Sequence, residues 1–220
     1  MLFVCPYPDC RSISELSGTE HFIPRSFCSN CARTGTKRSL VAWNGLQSIR
    51  EEKFGLGKPA PSPAINSGVQ AIVEDVRSLW NVGSIFRSAD AAGIDKLFLC
   101  GITGSPPRKE IAKTSLGAEE HVCWEYLPHA LDIIPELKKK GITILGLEKN
   151  EYSKSLTDIL RAAHLNRPIC FIVGNEVRGL SFEVLSYCDL VCHLPMNGFK
   201  ESLNVAVAFG IAAYFLNTFI

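Results

Sequence analysis

From residue 67 to the C-terminus, short apolar runs alternate with segments of helical spacing. The first 44 residues show little apolar periodicity and many polar turn formers. In the larger region, residues 69–74 (VQAIVE) are β-branched and apolar and predict a strand. A helix follows over 81–92, with Ile85, Phe86 and Ala89 on one face at spacings of three and four. Residues 96–100 (KLFLC), 142–147, 169–173 and 190–194 predict further strands. Residues 128–140 predict a helix that stops at Gly141, a residue favoured just past a helix end. The last helix is expected over 202–219. Strands alternating with helices imply an α/β fold, with a mainly parallel sheet covered by helices on both faces. Ligands in such sheets bind beyond the carboxyl ends of the strands.

Alternating prolines at Pro59, Pro61 and Pro63, after Gly55 and Gly57, favour an extended chain and cannot continue a helix or a central strand. Three regions are therefore expected: a small domain over 1–44, a Pro/Gly-rich linker over 45–66 and a larger domain over 67–220. Hydrophobic residues at 46% and charged residues at 20% suit a globular protein with a real core. Net charge is only +1, so composition gives no general basic footprint for nucleic acid, although Arg33, Lys37 and Arg38 form a local one. The longest apolar stretch, residues 205–216, falls short of the ~20 residues that span a bilayer and is expected to be a buried helix. Met1-Leu2-Phe3-Val4 runs at once into Cys5 and Pro6, too short for an export signal, so a cytoplasmic location without membrane contact is expected.

Nine cysteines without an export signal suggest free thiols or metal ligands. Cys5-x4-Cys10 and Cys28-x2-Cys31 form two pairs separated by 17 residues, and four thiolates suit tetrahedral zinc. His21 is the alternative ligand. A segment of about 40 residues has little apolar material and needs such a staple to fold. Cys100, Cys123, Cys170, Cys188 and Cys192 lie in or beside apolar strands, where cysteine behaves as a small hydrophobe.

Three blocks carry the chemistry: NVGSIFRSADAAGID (81–95), IVGNEVRGLS (172–181) and LPMNGFKESLNVAVAFG (194–210). Asn81 is either a helix cap or a polar group at the sheet edge. Gly174 and Gly179, five apart after an apolar strand, invite comparison with a nucleotide-binding P-loop, but the lysine position holds Leu180. No G-x-G-x-x-G is present either. What remains is a glycine that lets a ligand approach the backbone and Glu176 at a strand's carboxyl end, or else a glycine-rich turn with a solvated glutamate. Ser202 suits the N-cap of the last helix, with Asn204 two residues inside it.

In this order, the three blocks resemble the SpoU–TrmH family of S-adenosylmethionine-dependent RNA 2′-O-ribose methyltransferases, over residues 69–215. The resemblance implies a C-terminal trefoil knot, a homodimer and tRNA or rRNA as substrate. It carries Asn81, Arg87, Glu176, Ser202 and Asn204 over as the catalytic set. Gly174, Leu194, Met196 and Leu203 match positions that hold the cofactor, and Leu145 and Gly146 are expected to line the same pocket. Arg87 is read as a clamp on an RNA phosphate, because a neutral guanidine is too costly for a base. The 2′-hydroxyl proton would then pass to that phosphate, to Glu176 or to water. The cysteine domain is expected to dock RNA through Arg25, Arg33, Lys37 and Arg38, or to be a lid or a protein-contact surface. Two rival readings are a non-catalytic RNA-binding protein with the same fold and a small-molecule methyltransferase. The second leaves Arg87 and the cysteine domain without a role.

Overall fold

The computed structural model describes residues 67–162 and 165–220, together with the backbone of four three-residue strands near the N-terminus. These are β1 (Leu2–Val4), β2 (Ile13–Glu15), β3 (Arg25–Phe27) and β4 (Thr34–Thr36). β1 pairs antiparallel with β2, and β3 with β4. Cys5, Cys10, Cys28, Cys31 and His21 lie outside the described residues. The chain divides into two compact units, Met1–Leu56 and Gly57–Ile220.

The larger unit is built on a seven-stranded sheet: β5 (Val69–Glu74), β6 (Lys96–Cys100), β7 (Trp124–Leu127), β8 (Thr143–Leu147), β9 (Lys154–Ser155), β10 (Ile169–Val173) and β11 (Leu190–His193). Their order is β7-β6-β5-β10-β8-β11-β9, and every pairing is parallel. The helices are α1 (Leu79–Ala92), α2 (Lys109–Ser115), α3 (Ile134–Lys139), α4 (Leu156–Arg161), α5 (Phe182–Tyr187) and α6 (Val205–Phe219). No helix among the described residues is long and apolar enough to cross a membrane.

Strand side chains alternate between two cores. Val69, Ala71, Val73, Leu97, Leu99 and Phe171 join α1, α4 and α6 on one face. Ile72, Phe98, Ile144, Cys170 and Ile172 meet α3 and α5 on the other. Burial on both faces is why the central strands read as continuous apolar runs rather than alternating ones. α6 is the most apolar helix: Phe209, Ala213 and Leu216 are fully buried, with the Phe209 ring 5.0 Å from that of Phe171. Its far end is tied down by polar groups. The Asn217 amide donates to the Ala92 carbonyl at 2.6 Å, and the Arg167 guanidinium donates to the Asn217 carbonyl at 2.7 Å and to the Ser67 carbonyl.

The helix expected over 128–140 is broken. Ala130–Asp132 forms a single 3₁₀ turn, and the α-helix begins only at Ile134 with Pro135 in its first turn, where a missing N–H costs nothing. The last helix starts at Val205, three residues later than expected, and Asn204 rather than Ser202 caps it.

Candidate active site

The loop after β10 is held to its neighbours at four points. Asn175 and Gly179 exchange backbone hydrogen bonds at 3.0 and 2.9 Å, closing the loop on itself. The Asn175 amide donates to the Asp75 carbonyl at 2.8 Å, and its oxygen accepts from the N–H groups of Val177 and Arg178. Glu148, just past β8, accepts from the Leu180 N–H at 2.8 Å. Glu74, at the end of β5, accepts from the Ser181 hydroxyl at 2.8 Å and from its N–H at 3.1 Å. Burial raises the Glu74 carboxyl above its ordinary value, and the two bonds from Ser181 offset only part of that.

Gly174 is required by this closure, though not in the way its position suggests. A Cβ there would lie 2.5 Å from the Gly179 carbonyl and 2.6 Å from the Leu180 nitrogen. The space a side chain would need is taken by its own loop, while Gly174 also lines the cavity described below. Gly179 is left-handed, with φ +67°, and a Cβ there would meet the Glu148 carboxylate.

Glu176 anchors the start of α1. Its carboxylate accepts from the N–H groups of Arg77 and Ser78, both at 3.0 Å, and from the Asn81 amide at 3.1 Å. Partial burial pushes this carboxyl up, but the backbone bonds from Arg77 and Ser78, with the Asn81 amide, outweigh it and hold it below the usual range. Negative charge at a helix N-terminus is favourable in itself. Glu176 is thereby held in its ionised form beside the start of α1. Its ionised form adds stability above the unfolded carboxylate value, and that stability is lost as pH falls through the lowered one.

Asn81 does not cap α1. Ser78 does, its hydroxyl accepting from the Asn81 N–H at 3.3 Å. The Asn81 side chain, half-buried, instead joins the three blocks. Its nitrogen donates to Glu176, and its oxygen accepts from the Asn204 amide nitrogen at 3.1 Å. The Asn204 oxygen accepts from the Ala206 and Val207 N–H groups that open α6. Both amide orientations are fixed by these partners, since a carboxylate only accepts and a backbone N–H only donates. The relay runs one way: α6 to Asn204 to Asn81 to Glu176.

Beside the relay, a cavity of about 290 Å³ opens at the carboxyl ends of β8, β10 and β11. Leu147, Val173, Leu194, Met196, Leu203 and Val205 give it an apolar side. Gly174, Glu176, Ser202 and Asn204 also line it. Among its charged residues are three carboxylates, Glu148, Glu176 and Glu201, against Lys149, with His193 at the rim. The His193 Nδ1 lies 2.9 Å from the Ser153 hydroxyl. Leu145 and Gly146 do not line the cavity. They are buried inside β8, where a Cβ on Gly146 would touch the Cys188 sulfur, and the strand reaches the cavity two residues later at Leu147 and Glu148.

Arg87 stands apart, exposed on α1 beside a second cavity with Lys113 and Tyr214. Burial pushes Cys188 and Cys192 up to about 12 and raises Cys100 and Cys170 strongly, which makes these four thiols poor nucleophiles. Among the described residues, no group of three or more His, Cys, Asp or Glu could hold a metal. Sequence reasoning missed Glu148, Asn175 and Glu74, which position the loop. Each is a polar residue at or just past a strand's carboxyl end, a signal only once the strand order is known.

Fold and cavity define the class first: an α/β unit on a fully parallel seven-stranded sheet, with a cavity built by three loops at the carboxyl edge of that sheet. Within that class the chain belongs to the SpoU rRNA Methylase family, whose pattern matches residues 68–214. It is similar to YacO of Bacillus subtilis, a protein assigned to the TrmH family of tRNA/rRNA methyltransferases, with 32% identity over 148 residues, 65% of this chain and 55% of that protein. A Staphylococcus aureus protein with the same family assignment is 32% identical over 143 residues, 65% of this chain and 56% of its own. The chain spans about half the length of the curated relatives it matches. Among solved structures, it resembles an AdoMet-bound rRNA methyltransferase from Sinorhizobium meliloti, with TM-score 0.61 and 26% identity, covering 68% of this chain and 55% of that one. It also resembles the TrmH/SpoU tRNA modifying enzyme of A. aeolicus, with TM-score 0.61 and 25% identity, covering 79% and 81%.

Proposed function

We propose that this protein is an S-adenosylmethionine-dependent methyltransferase acting on a ribose 2′-hydroxyl of tRNA or rRNA. The observation that carries the reading is the relay from α6 through Asn204 and Asn81 to Glu176 at the rim of the cavity. It gathers residues 95 and 123 positions apart into one polar edge.

The cavity suits this cofactor on its own chemistry. An apolar side takes a flat heterocycle, and a surplus of carboxylates favours a ligand carrying ammonium and sulfonium charge while opposing a polyphosphate. Gly174, Leu194, Met196 and Leu203 would hold it, joined by Leu147 and Glu148. When bound, S-adenosylmethionine supplies a methyl group activated by its own positive charge. The protein's part is to orient the ribose hydroxyl and exclude water. Ser202 and Asn204 offer polar groups toward the hydroxyl. Asn81, locked between Glu176 and Asn204, keeps that edge in one arrangement. Arg87 clamps an RNA phosphate, and the proton goes to that phosphate, to Glu176 or to water.

Calorimetry with the full chain tests the reading. S-adenosylmethionine or its demethylated product is expected to bind and to raise the melting temperature by linkage. Folded protein that takes up no ligand at millimolar concentration sinks the assignment. Radiolabelled methyl transfer to bulk RNA separates an enzyme from an RNA-binding protein that keeps the fold.

The proposal includes a trefoil knot through the 194–204 segment, a homodimer, a cytoplasmic location and a zinc site formed by Cys5, Cys10, Cys28 and Cys31. In support of the zinc, each cysteine pair falls in sequence between two strands that pair antiparallel, β1 with β2 and β3 with β4. Protein purified without chelator is expected to carry one zinc per chain and to lose it on acidification, as the thiolates protonate. Metal analysis of a Cys28→Ser variant that retains full zinc content refutes the site.

A further inference from the structure

The charged groups around the cavity proposed for the cofactor are not equivalent. Glu148 accepts from the N–H groups of Leu180 and Lys149, and Glu176 accepts from Arg77, Ser78 and Asn81. Both carboxylates are committed to holding loops. Glu201 lines the same cavity, yet its carboxylate has no hydrogen-bond or ion-pair partner among the described residues. The same holds for the Lys149 ammonium.

An exposed charge needs no partner, because water satisfies it, so position has to carry the argument. Lys149 lies two residues past β8, and Glu201 lies between β11 and α6. Opposite charges thus reach one cavity from two different loops. They do not neutralise each other: the ion pairs of the described residues are Lys96–Glu125, Lys138–Asp189 and Arg161–Asp158. Both residues are exposed, whereas the apolar side of the cavity reaches down to the buried Val173. A ligand with a flat apolar end and a zwitterionic end matches that gradient, since the first gains by leaving water and the second keeps part of its hydration.

We infer that Lys149 and Glu201 receive the amino-acid end of the cofactor, Lys149 meeting its carboxylate and Glu201 its ammonium. The inference rests on the S-adenosylmethionine reading above and deepens it, because it traces the negative charge available to the ligand to one carboxylate. An α-amino acid carries both charges on a single carbon. Two opposite charges that stay unjoined in the protein are complementary to it, and either alone would accept many other ligands.

Calorimetry with the full chain and three ligands tests the assignment. S-adenosylhomocysteine carries both charges of the amino acid. Decarboxylated S-adenosylmethionine keeps the ammonium and the sulfonium, and methylthioadenosine has no charge at that end. Glu201→Gln is expected to weaken the first two by about three- to tenfold, the range for charged contacts that stay partly in water, and to leave methylthioadenosine within about twofold. Lys149→Gln is expected to weaken S-adenosylhomocysteine by a similar factor and neither of the others. Unchanged melting of the ligand-free variants checks that both fold, as expected for surface substitutions. Equal losses for all three ligands in either variant, or no loss in either, overturn the pair. A Glu201→Gln loss confined to decarboxylated S-adenosylmethionine, the one sulfonium of the three, assigns the carboxylate to sulfur and also overturns it. Wild-type protein that binds none of the ligands removes the methyltransferase reading and this pair with it. Wild type that binds all three, with variants that do not discriminate among them, removes the pair alone.

Discussion

Replacing Gly174 by alanine is expected to abolish measurable S-adenosylmethionine binding and to lower stability by about 1–3 kcal/mol, the usual cost of forcing an extra carbon into a closed space. The obstacle is backbone, with the added Cβ 2.5 Å from the Gly179 carbonyl carbon and oxygen. A flexible side chain can move aside, but Gly179 is fixed by two hydrogen bonds to Asn175 and by its left-handed conformation. The loop must therefore lift as a unit, carrying Glu176 away from Arg77, Ser78 and Asn81. Denaturant unfolding and calorimetry on the same protein measure both effects. A variant with wild-type stability and full cofactor affinity would show that the closed loop is not what shapes the cavity.

Arg87→Ala is expected to reduce methyl transfer by two orders of magnitude or more, about 3 kcal/mol of transition-state stabilisation, while leaving cofactor affinity within about twofold. The separation follows from position: Arg87 is exposed on α1 and does not line the cavity proposed for the cofactor. Lysine at this place should recover only part of the rate, because it cannot present the planar fork. Single-turnover transfer with saturating S-adenosylmethionine isolates the step. Loss of cofactor binding with RNA affinity retained would place the arginine in the other cavity and end the clamp reading.

The central strands were legible because burial on both sheet faces writes itself as an unbroken apolar run, and β5, β6 and β10 begin and end where VQAIVE, KLFLC and ICFIV do. Elements with little burial left no such mark. α2 buries only Ile111 and Ser115, β9 has two residues, and α5 buries Val184 while Phe182 stands exposed. The capping residues were harder for a different reason. Ser78, Asn81, Ser202 and Asn204 are all good caps by type, and which of them caps depends on where the helix begins. The structure gives the role to Ser78 and Asn204, and that leaves Asn81 free to reach Glu176. Residue identities at the candidate site were readable, but their mutual orientation was not. Asn81 and Asn204 are 123 positions apart, and no local pattern joins them.

The pairing of β5 with β10 sets Val69 against Ile169 and Val73 against Val173. Strand β5 therefore leaves the ribosome about a hundred residues before its inner neighbour exists. While β6 and β7 can add to one edge of β5, the other edge stays open, with its unpaired N–H and C=O groups flanked by apolar side chains. Contacts this distant in sequence form slowly, and slow closure prolongs exposure to wrong partners. Synthesis thus supplies the outer half of the sheet first and its middle late, and the inner edge of β5 stays without its partner until Val173 has emerged.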